Sequence, residues 1–323
     1  MTFHFTLARG AGILAFTSLP ALADLPVLTI ASQAGGTVAW ELETIRHHGL
    51  DEAQGFRLEI QEVAGKAAGQ IAFQGGEVDV IVDDWIWVAR QRAAGQDITF
   101  IPYSRAVGGV MVPAASEAKS LQDLAGGRIG IAGGPNDKSW IILRAYMAQQ
   151  GFDLLAETEQ VYGAPPLIFQ TAASGELDGA INFWHFMARQ EAAGMEHLVS
   201  VAQAAEALGM DPDMPLLGYV VQSGLVAENP DLVEAFAAAS RAAKVQLAES
   251  DADWDRLRPM MNAADDAQFD ALVAGFRAGI PGDGPINEDS ARAMFKLMVD
   301  LGGEELVGSA TELPEGVFVA FGS

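Results

Sequence analysis

Short apolar segments alternate with longer amphipathic segments through the first hundred residues. Short apolar runs bounded by turn residues predict buried strands, whereas apolar positions spaced three and four apart predict helices. The predicted strands are Leu25–Ala31, Phe56–Glu62, Val78–Val82 and Ile98–Tyr103, and the predicted helices are Val38–His48, Ala67–Gln74 and Trp85–Ala94. This order of elements predicts a mainly parallel sheet with helices on both faces.

A second set of alternating elements follows between residues 107 and 193. Its predicted strands are Val107–Pro113, Arg128–Ala132, Thr158–Val161 and Gly179–Phe183, and its predicted helices are Leu121–Leu124, Ser139–Gln150, Pro166–Ser174 and His185–Ala193. The sequence shows no internal repeat strong enough to relate this set to the first.

The rest of the chain is mainly helical. Strand Tyr219–Gln222 precedes a helix that starts at Asn229-Pro230, with proline in its first turn, and runs to Leu247. We therefore expect an α/β protein of two lobes. Residues 24–106 and 220–323 form lobe 1 with the C-terminal helices, and residues 107–219 form lobe 2.

The first 23 residues have the pattern of an export signal. Arg9 supplies a positive charge, residues 10–19 an apolar stretch, and Ala21-Leu22-Ala23 a cleavage site of small residues. No later stretch reaches the ~18 unbroken apolar residues of a membrane span. We expect cleavage after Ala23 and a soluble protein in the periplasm.

Composition and charge exclude several classes of function. The 323 residues carry 43 acidic and 19 basic side chains, a net charge of −24, which opposes binding to nucleic acid phosphates. The chain contains no cysteine, which excludes disulfide scaffolds, thiolate metal sites and cysteine nucleophiles. Half the residues are hydrophobic, as in a globular chain with a sizeable core.

Seven segments in a fixed order resemble one protein family. They are His48–Phe56, Gly75–Val80, Ser120–Gly126, Ile129–Ile131, Gly133–Pro135, Ser174–Ile181 and Asn229–Phe236. Together they resemble the periplasmic substrate-binding proteins of nitrate/sulfonate/taurine-type ABC importers, the SsuA/THI5-like NMT1 family.

The resemblance implies a two-lobed, type II Venus-flytrap fold that holds a small-molecule solute between its lobes. It also implies delivery of that solute to an inner-membrane ABC permease and its ATPase. From the resemblance we therefore expect a monomer without a cofactor that is not an enzyme.

Ligands of open α/β sheets bind at the carboxyl ends of the strands, so the strand-to-helix junctions are the candidate site. Five of the six tryptophans lie at these junctions, and we expect Trp85 and Trp184 to form stacking walls. The candidate ligand-binding residues are Gly35, Gly36, Thr37, Trp40, Asp83, Asp84, Trp85, Gly134, Asn136, Asp137, Lys138, Trp140, Trp184 and His185.

The polar candidates also have structural interpretations. Asp84 and Asp137 are placed to cap the helices that follow them, which leaves Asp83 to face the cleft. Lys138 is placed to pair with an acid across the cleft mouth. His185 serves equally as a ligand donor or as a helix N-terminal residue bonded to backbone.

The aromatic and acidic junctions indicate the type of solute. A carboxylate favours a cation or an N–H donor, and tryptophan faces attract cations and stack on flat rings. We therefore expect a nitrogen-bearing organic solute, either a pyrimidine-like heterocycle or an amine. The alternatives are a sulfonate or nitrate binder, a metal-delivering protein that uses the aspartates, a periplasmic sensor, and a THI5-like pyrimidine synthase.

Overall fold

The structure, a computed structural model, describes residues 1, 25–282 and 284–319. Lobe 1 is built on a five-stranded sheet of order β2-β1-β3-β10-β4. Its strands are β1 Val27–Gln33, β2 Arg57–Val63, β3 Val80–Asp84, β4 Ile98–Ser104 and β10 Leu217–Gln222. Its helices before the crossover are α1 Val38–His47, α2 Leu50–Ala53, α3 Lys66–Gln74 and α4 Trp85–Ala93.

Lobe 2 repeats this arrangement with the order β7-β6-β8-β5-β9. Its strands are β5 Gly109–Pro113, β6 Arg128–Ala132, β7 Glu159–Gly163, β8 Gly179–Asn182 and β9 Met195–Ser200. Its helices are a 3-10 turn Leu121–Leu124, α5 Lys138–Gln149, α6 Pro165–Ala173, α7 Trp184–Ala192 and α8 Val201–Ala207. In each sheet the strand that arrives from the other lobe runs antiparallel to its neighbours. The expectation of two mainly parallel α/β lobes is confirmed.

Five helices follow β10 in the described part of the chain. They are α9 Ser223–Glu228, α10 Pro230–Glu249, α11 Asp251–Met261, α12 Asp266–Ala278 and α13 Glu288–Val307. Helix α12 packs on α7, and α13 contacts both α4 and α5. The lobe boundaries expected from the sequence assign all of these helices to lobe 1, whereas α12 and α13 also touch lobe 2. The predicted export signal lies outside the described residues.

The two lobes contain an internal repeat that the sequence analysis missed. Residues 75–95 and 174–194 align without gaps at an offset of 99, and ten of the 21 positions are identical. One hydrogen bond from a backbone N–H to a carboxylate recurs at the same offset: Thr29 N donates to Asp79 Oδ2 at 2.8 Å, and Arg128 N donates to Asp178 Oδ2 at 2.7 Å. The repeat was hidden because the remaining parts of the two lobes differ in sequence.

Helix boundaries follow from local chemistry. Asp84 begins α4 because its Oδ1 accepts a hydrogen bond from the Trp87 N–H at 2.7 Å. Strand β9 and helix α8 were not predicted, because β9 is an edge strand with little apolar alternation. Pairing with β5 positions β9, and the capping box of Ser200 and Gln203 begins α8.

Candidate functional site

The carboxyl ends of β1, β3, β6 and β8 border a cleft between the lobes. It contains about 890 Å³ of empty space, part of which is open solvent, and residues of both lobes line it. The predicted residues that line it are Gly36, Thr37, Asp83, Asp137, Lys138, Trp184 and His185. The strand-end rule therefore found the cleft, and ligand contact by these residues remains a prediction.

Lobe 1 contributes a buried charge cluster. Lys66 Nζ lies 2.8 Å from Asp83 Oδ1 and 3.2 Å from Asp84 Oδ2. Gln70 Nε2 donates a hydrogen bond to Asp83 Oδ2 at 2.7 Å. One ammonium thus faces two carboxylates, so this wall of the cleft carries excess negative charge.

The two carboxylates differ in how they hold a proton. Burial raises the pKa of Asp83; the Lys66 charge opposes this shift and the neighbouring Asp84 charge adds to it. Burial would also raise the pKa of Asp84, but the ammonium charges of Lys66 and Lys138 and the Trp87 N–H outweigh burial and lower it. Asp83 is therefore the carboxyl whose protonation state is the easier to change.

Both predicted helix caps are confirmed. Asp84 caps α4, and Asp137 Oδ1 accepts a hydrogen bond from the Ser139 N–H at 2.9 Å at the start of α5. Asp137 Oδ2 is buried and accepts no hydrogen bond from any described residue. The two caps hold α4 and α5 with their N-termini at the two walls of the cleft.

Lys138 presents a cation from lobe 2. The residue is 6% exposed, and its Nζ lies 5.5 Å from the centroid of the Phe183 ring. Among the described side chains, none forms an ion pair or hydrogen bond with this ammonium. The expected pairing with an acid across the mouth is therefore wrong at the level of contact, although the Lys138 charge acts across the cleft on Asp84.

His185 follows Trp184 at the start of α7. It is 7% exposed, and its Nδ1 is buried without a hydrogen-bond partner in the described structure. Burial, with a smaller contribution from the Arg189 charge, lowers the pKa of His185 to about 3. The imidazole is therefore neutral at neutral pH and carries both a donor and an acceptor nitrogen.

Two tryptophans predicted at the cleft belong to the core instead. Trp85 and Trp140 are 0% exposed and do not line the cleft. Trp85 packs against Phe295 and Phe318, with ring centroids 6.4 and 6.1 Å away, so the C-terminal segment covers it. The expectation that Trp85 is a stacking wall is wrong, because the last helix and the segment after it, distant in sequence, bury the indole.

The other predicted residues lie beside the cleft. Trp40 is buried between Trp184 and Trp254, edge-on to both. Gly35 and Asn136 are exposed, and Gly134 is half-buried in the loop after β6. None of these four lines the cleft.

The lining residues that were not predicted include Lys66, Gln70 and Tyr103. Lys66 and Gln70 lie on α3, which follows the edge strand β2 at a junction without an aromatic side chain. The Tyr103 ring centroid is 4.9 Å from Lys244 Nζ. Burial, with the Glu41 charge, raises the pKa of Tyr103, so its hydroxyl stays protonated.

A buried polar network supports the cleft from behind. Glu41 Oε1 accepts hydrogen bonds from the Tyr219 hydroxyl at 2.7 Å, the Ser240 hydroxyl at 2.6 Å and Lys244 Nζ at 2.9 Å. The network joins α1, β10 and α10, and it fixes the position of α1 at the cleft.

Two further searches of the described residues are negative. No three histidine or acidic side chains of this part of the chain converge into a group that could hold a metal ion. Among the described helices, none has the length and apolarity needed to cross a membrane.

The fold matches solved structures over most of the chain. A Bordetella bronchiseptica protein has 22% identity and a TM-score of 0.70, with 84% of this chain and 88% of that chain covered. The alkanesulfonate-binding protein SsuA of Xanthomonas axonopodis, bound to MOPS, and the periplasmic aliphatic sulphonate binding protein SsuA of Escherichia coli each have 17% identity and a TM-score of 0.69. Each covers 90% of this chain, with 97% and 95% of those chains covered.

These structures and the strand order define the class: the chain has the periplasmic binding protein fold. A family model described as NMT1/THI5 like matches residues 46–251. The chain belongs to the NMT1/THI5-like family, as the ordered segments of the sequence indicated. No curated protein sequence matches the chain.

Proposed function

We propose that this protein is the periplasmic solute-binding component of an ABC importer and is not an enzyme. The observation that carries the proposal is the interlobe cleft, where Asp83 and Lys66 from lobe 1 face Lys138 and His185 from lobe 2. A solute between these groups gains contacts from both lobes, which favours the closed arrangement. The neighbours named SsuA are sulfonate-binding proteins, which supports a transport role.

The proposed solute is a small nitrogen-bearing organic molecule, a pyrimidine-like heterocycle or an amine. The Asp83 carboxylate is suited to accept a hydrogen bond from an N–H group of the solute. The rings of Phe183 and Trp184 supply flat apolar walls. The neutral His185 offers a second polar contact, because no described residue supplies a hydrogen-bond partner for its Nδ1. The solute should also carry a hydrogen-bond acceptor for the Lys138 ammonium.

A sulfonate or another oxyanion is the second candidate. The observation that favours it is the Lys138 ammonium, which is nearly buried and has no acceptor among the described side chains. A bound anion would satisfy this cation, although the carboxylates of Asp83 and Asp84 on the opposite wall would repel it. A solute with both an N–H donor and an acidic group satisfies both walls.

Other partners follow from the importer role. We propose a monomer in the periplasm that docks on an inner-membrane permease and its ATPase, without a bound cofactor. Metal delivery, sensing and pyrimidine synthesis by an enzyme are the competing hypotheses, and the first experiment separates them.

That experiment is native mass spectrometry of residues 24–323 purified gently from the periplasm. An organic mass at one per chain, identified after denaturation, would support the importer hypothesis and name the solute class. A metal mass would replace it with metal delivery. Conversion of the released molecule during incubation with fresh protein would support an enzyme.

A thermal-shift series decides the solute if the protein is purified without one. Cytosine, taurine, ethanesulfonate and nitrate are suitable probes for the aminopyrimidine, the amine with an acid, the sulfonate and the simple oxyanion. Stabilisation by cytosine or taurine supports the nitrogen-bearing solute. Stabilisation by ethanesulfonate or nitrate alone supports the oxyanion, and no stabilisation by any probe contradicts both.

A further inference from the structure

The internal repeat places Trp85 and Trp184 at equivalent positions, each the first residue of its helix. The two indoles have different surroundings. Trp85 is sealed inside the protein under Phe295 and Phe318, whereas Trp184 is half-buried and lies at the junction of the two lobes. The contacts of Trp184 therefore report on the interface between the lobes.

The benzo edge of Trp184 fits against a glycine of α12. A Cβ atom placed on Gly275 would lie 2.7 Å from Trp184 Cζ3 and 2.8 Å from Cε3, which is closer than real Cβ contacts. On its other side the indole meets Trp40 of lobe 1 edge to face, with ring centroids 6.0 Å apart. Trp40 is itself held by Trp254 and Phe276, so the indole of Trp184 has little room to move.

A second contact joins α7 to another C-terminal helix, α11. Arg189, one turn beyond Trp184 on α7, donates a hydrogen bond to the Met261 carbonyl at the end of α11 at 2.9 Å. Its repeat equivalent, Arg90 on α4, donates to the Leu306 carbonyl of α13 at 3.2 Å. The repeat therefore uses one arginine in each lobe to hold a C-terminal helix, and the α7 pair connects lobe 2 to helices packed on lobe 1.

We propose that Trp184, Gly275 and Trp40 form a latch that holds the two lobes together, even without a solute. Gly275 is a positioning residue in this latch, since only a glycine lets α12 approach the indole. All the contacts that define the latch come from the protein itself. The latch deepens the proposed function, because Trp184 also lines the cleft, but its test does not depend on any solute.

The test is small-angle X-ray scattering of the solute-free chain from residue 24 onward, with Gly275→Ala as the main variant. Wild type is expected to give the radius of gyration calculated from this structure, and Gly275→Ala a larger one. The unfolding midpoint of Gly275→Ala should stay within a few degrees of wild type, because alanine favours a helix over glycine. Gly224→Ala is the matched control, since a Cβ there meets no atom within 4 Å.

A second-site variant separates a clash from any other effect of the methyl group. Trp184→Phe removes the ring atoms that approach Gly275, so Gly275→Ala combined with Trp184→Phe should be more compact than Gly275→Ala alone. The latch is refuted if solute-free wild type is already extended, or if Gly275→Ala scatters like wild type. It is also refuted if Gly224→Ala opens the protein to the same extent.

Discussion

The chemistry of the cleft depends on the unequal environments of two adjacent aspartates. The Asp84 carboxylate caps α4 and contacts Lys66. The Asp83 carboxylate contacts the same lysine and accepts a hydrogen bond from Gln70, and it lines the cleft although its side chain is fully buried. Adjacent residues at the end of a strand point to opposite faces, so one carboxylate serves the helix and the other the cleft.

Asp83→Asn tests the proposed role of this carboxylate. Asparagine keeps the shape but loses the charge, and Lys66 retains Asp84 as a partner. We expect the solute-induced rise in unfolding midpoint to be lost, while the midpoint without solute changes by only a few degrees. Differential scanning fluorimetry measures both quantities. Asp270→Asn at an exposed position is the control, and normal stabilisation of Asp83→Asn by the solute would contradict the site assignment.

His185 makes the stability of the protein depend on pH. Its pKa is lowered by burial to about 3, whereas an unfolded histidine titrates near 6.5. Below about pH 6.5 the unfolded chain binds the proton and the folded chain does not, so this contribution to stability is lost as pH falls toward 3.

His185→Gln should therefore flatten part of the pH dependence of the unfolding free energy. Between about pH 6.5 and pH 4 the advantage of wild type over the variant should shrink, by at most about 1.4 kcal/mol per pH unit. Urea unfolding at several pH values measures it. His47→Gln at an exposed position serves as control. A constant difference between wild type and His185→Gln would show that the pKa of His185 is the same in the folded and unfolded states, which would contradict the prediction.

At the scale of elements, helices α4 and α7 show how one repeated sequence serves two purposes. Both begin after a strand end, and both carry Trp, Arg and Gln at equivalent positions. The C-terminal segment reaches across α4: Val317 accepts a hydrogen bond from the Phe100 N–H at 2.8 Å, and this seals Trp85. Helix α7 meets α12 instead, which leaves Trp184 between the lobes.

The equivalent residues Trp85 and Trp184 should contribute differently to the stability of the fold and to solute binding. Trp85→Ala removes a completely buried indole and should destabilise the protein by about 3–5 kcal/mol. Trp184→Ala should cost much less, because the side chain is half-buried, yet it should abolish stabilisation by the solute. Urea unfolding with and without solute measures both effects, and equal destabilisation by the two variants would contradict this division of roles.

At the scale of the whole molecule, the C-terminal helices connect the two lobes. Arg144 of lobe 2 pairs with Glu305 of α13 at 3.0 Å, and Arg90 of lobe 1 binds the Leu306 carbonyl of the same helix. Any movement of one lobe relative to the other therefore has to be accommodated by helices that touch both lobes, in addition to the chain crossovers near residues 104–109 and 214–217.

Export through the first 23 residues is a prediction about the whole molecule. Expressed in a Gram-negative host with its own first 23 residues, the protein should be recovered from the periplasm with Asp24 as its first residue. N-terminal sequencing and intact mass measure this outcome. Replacing both Ala21 and Ala23 with arginine should prevent cleavage, and recovery of the full-length wild-type chain from the cytoplasm would contradict the export hypothesis.

The amino-acid sequence determined the architecture of this protein and the location of its cleft. Period-two and period-3.6 patterns are local, so strands and helices such as Arg128–Ala132 were predicted to within a residue or two. The helix caps Asp84 and Asp137 were predicted for the same reason, since a cap depends only on the next few residues. Strand ends then located the cleft, because parallel strands share one ligand-facing edge.

Only the tertiary structure decided which junction residues reach that cleft. Trp85 and Trp184 are equivalent in sequence, and their different burial comes from segments 90 or more residues further along the chain. Lys66 likewise lines the cleft because its ammonium contacts Asp83 and Asp84, which are distant from it in sequence. Periodicity tells which side of an element is buried, but what covers that side depends on packing between distant parts of the chain.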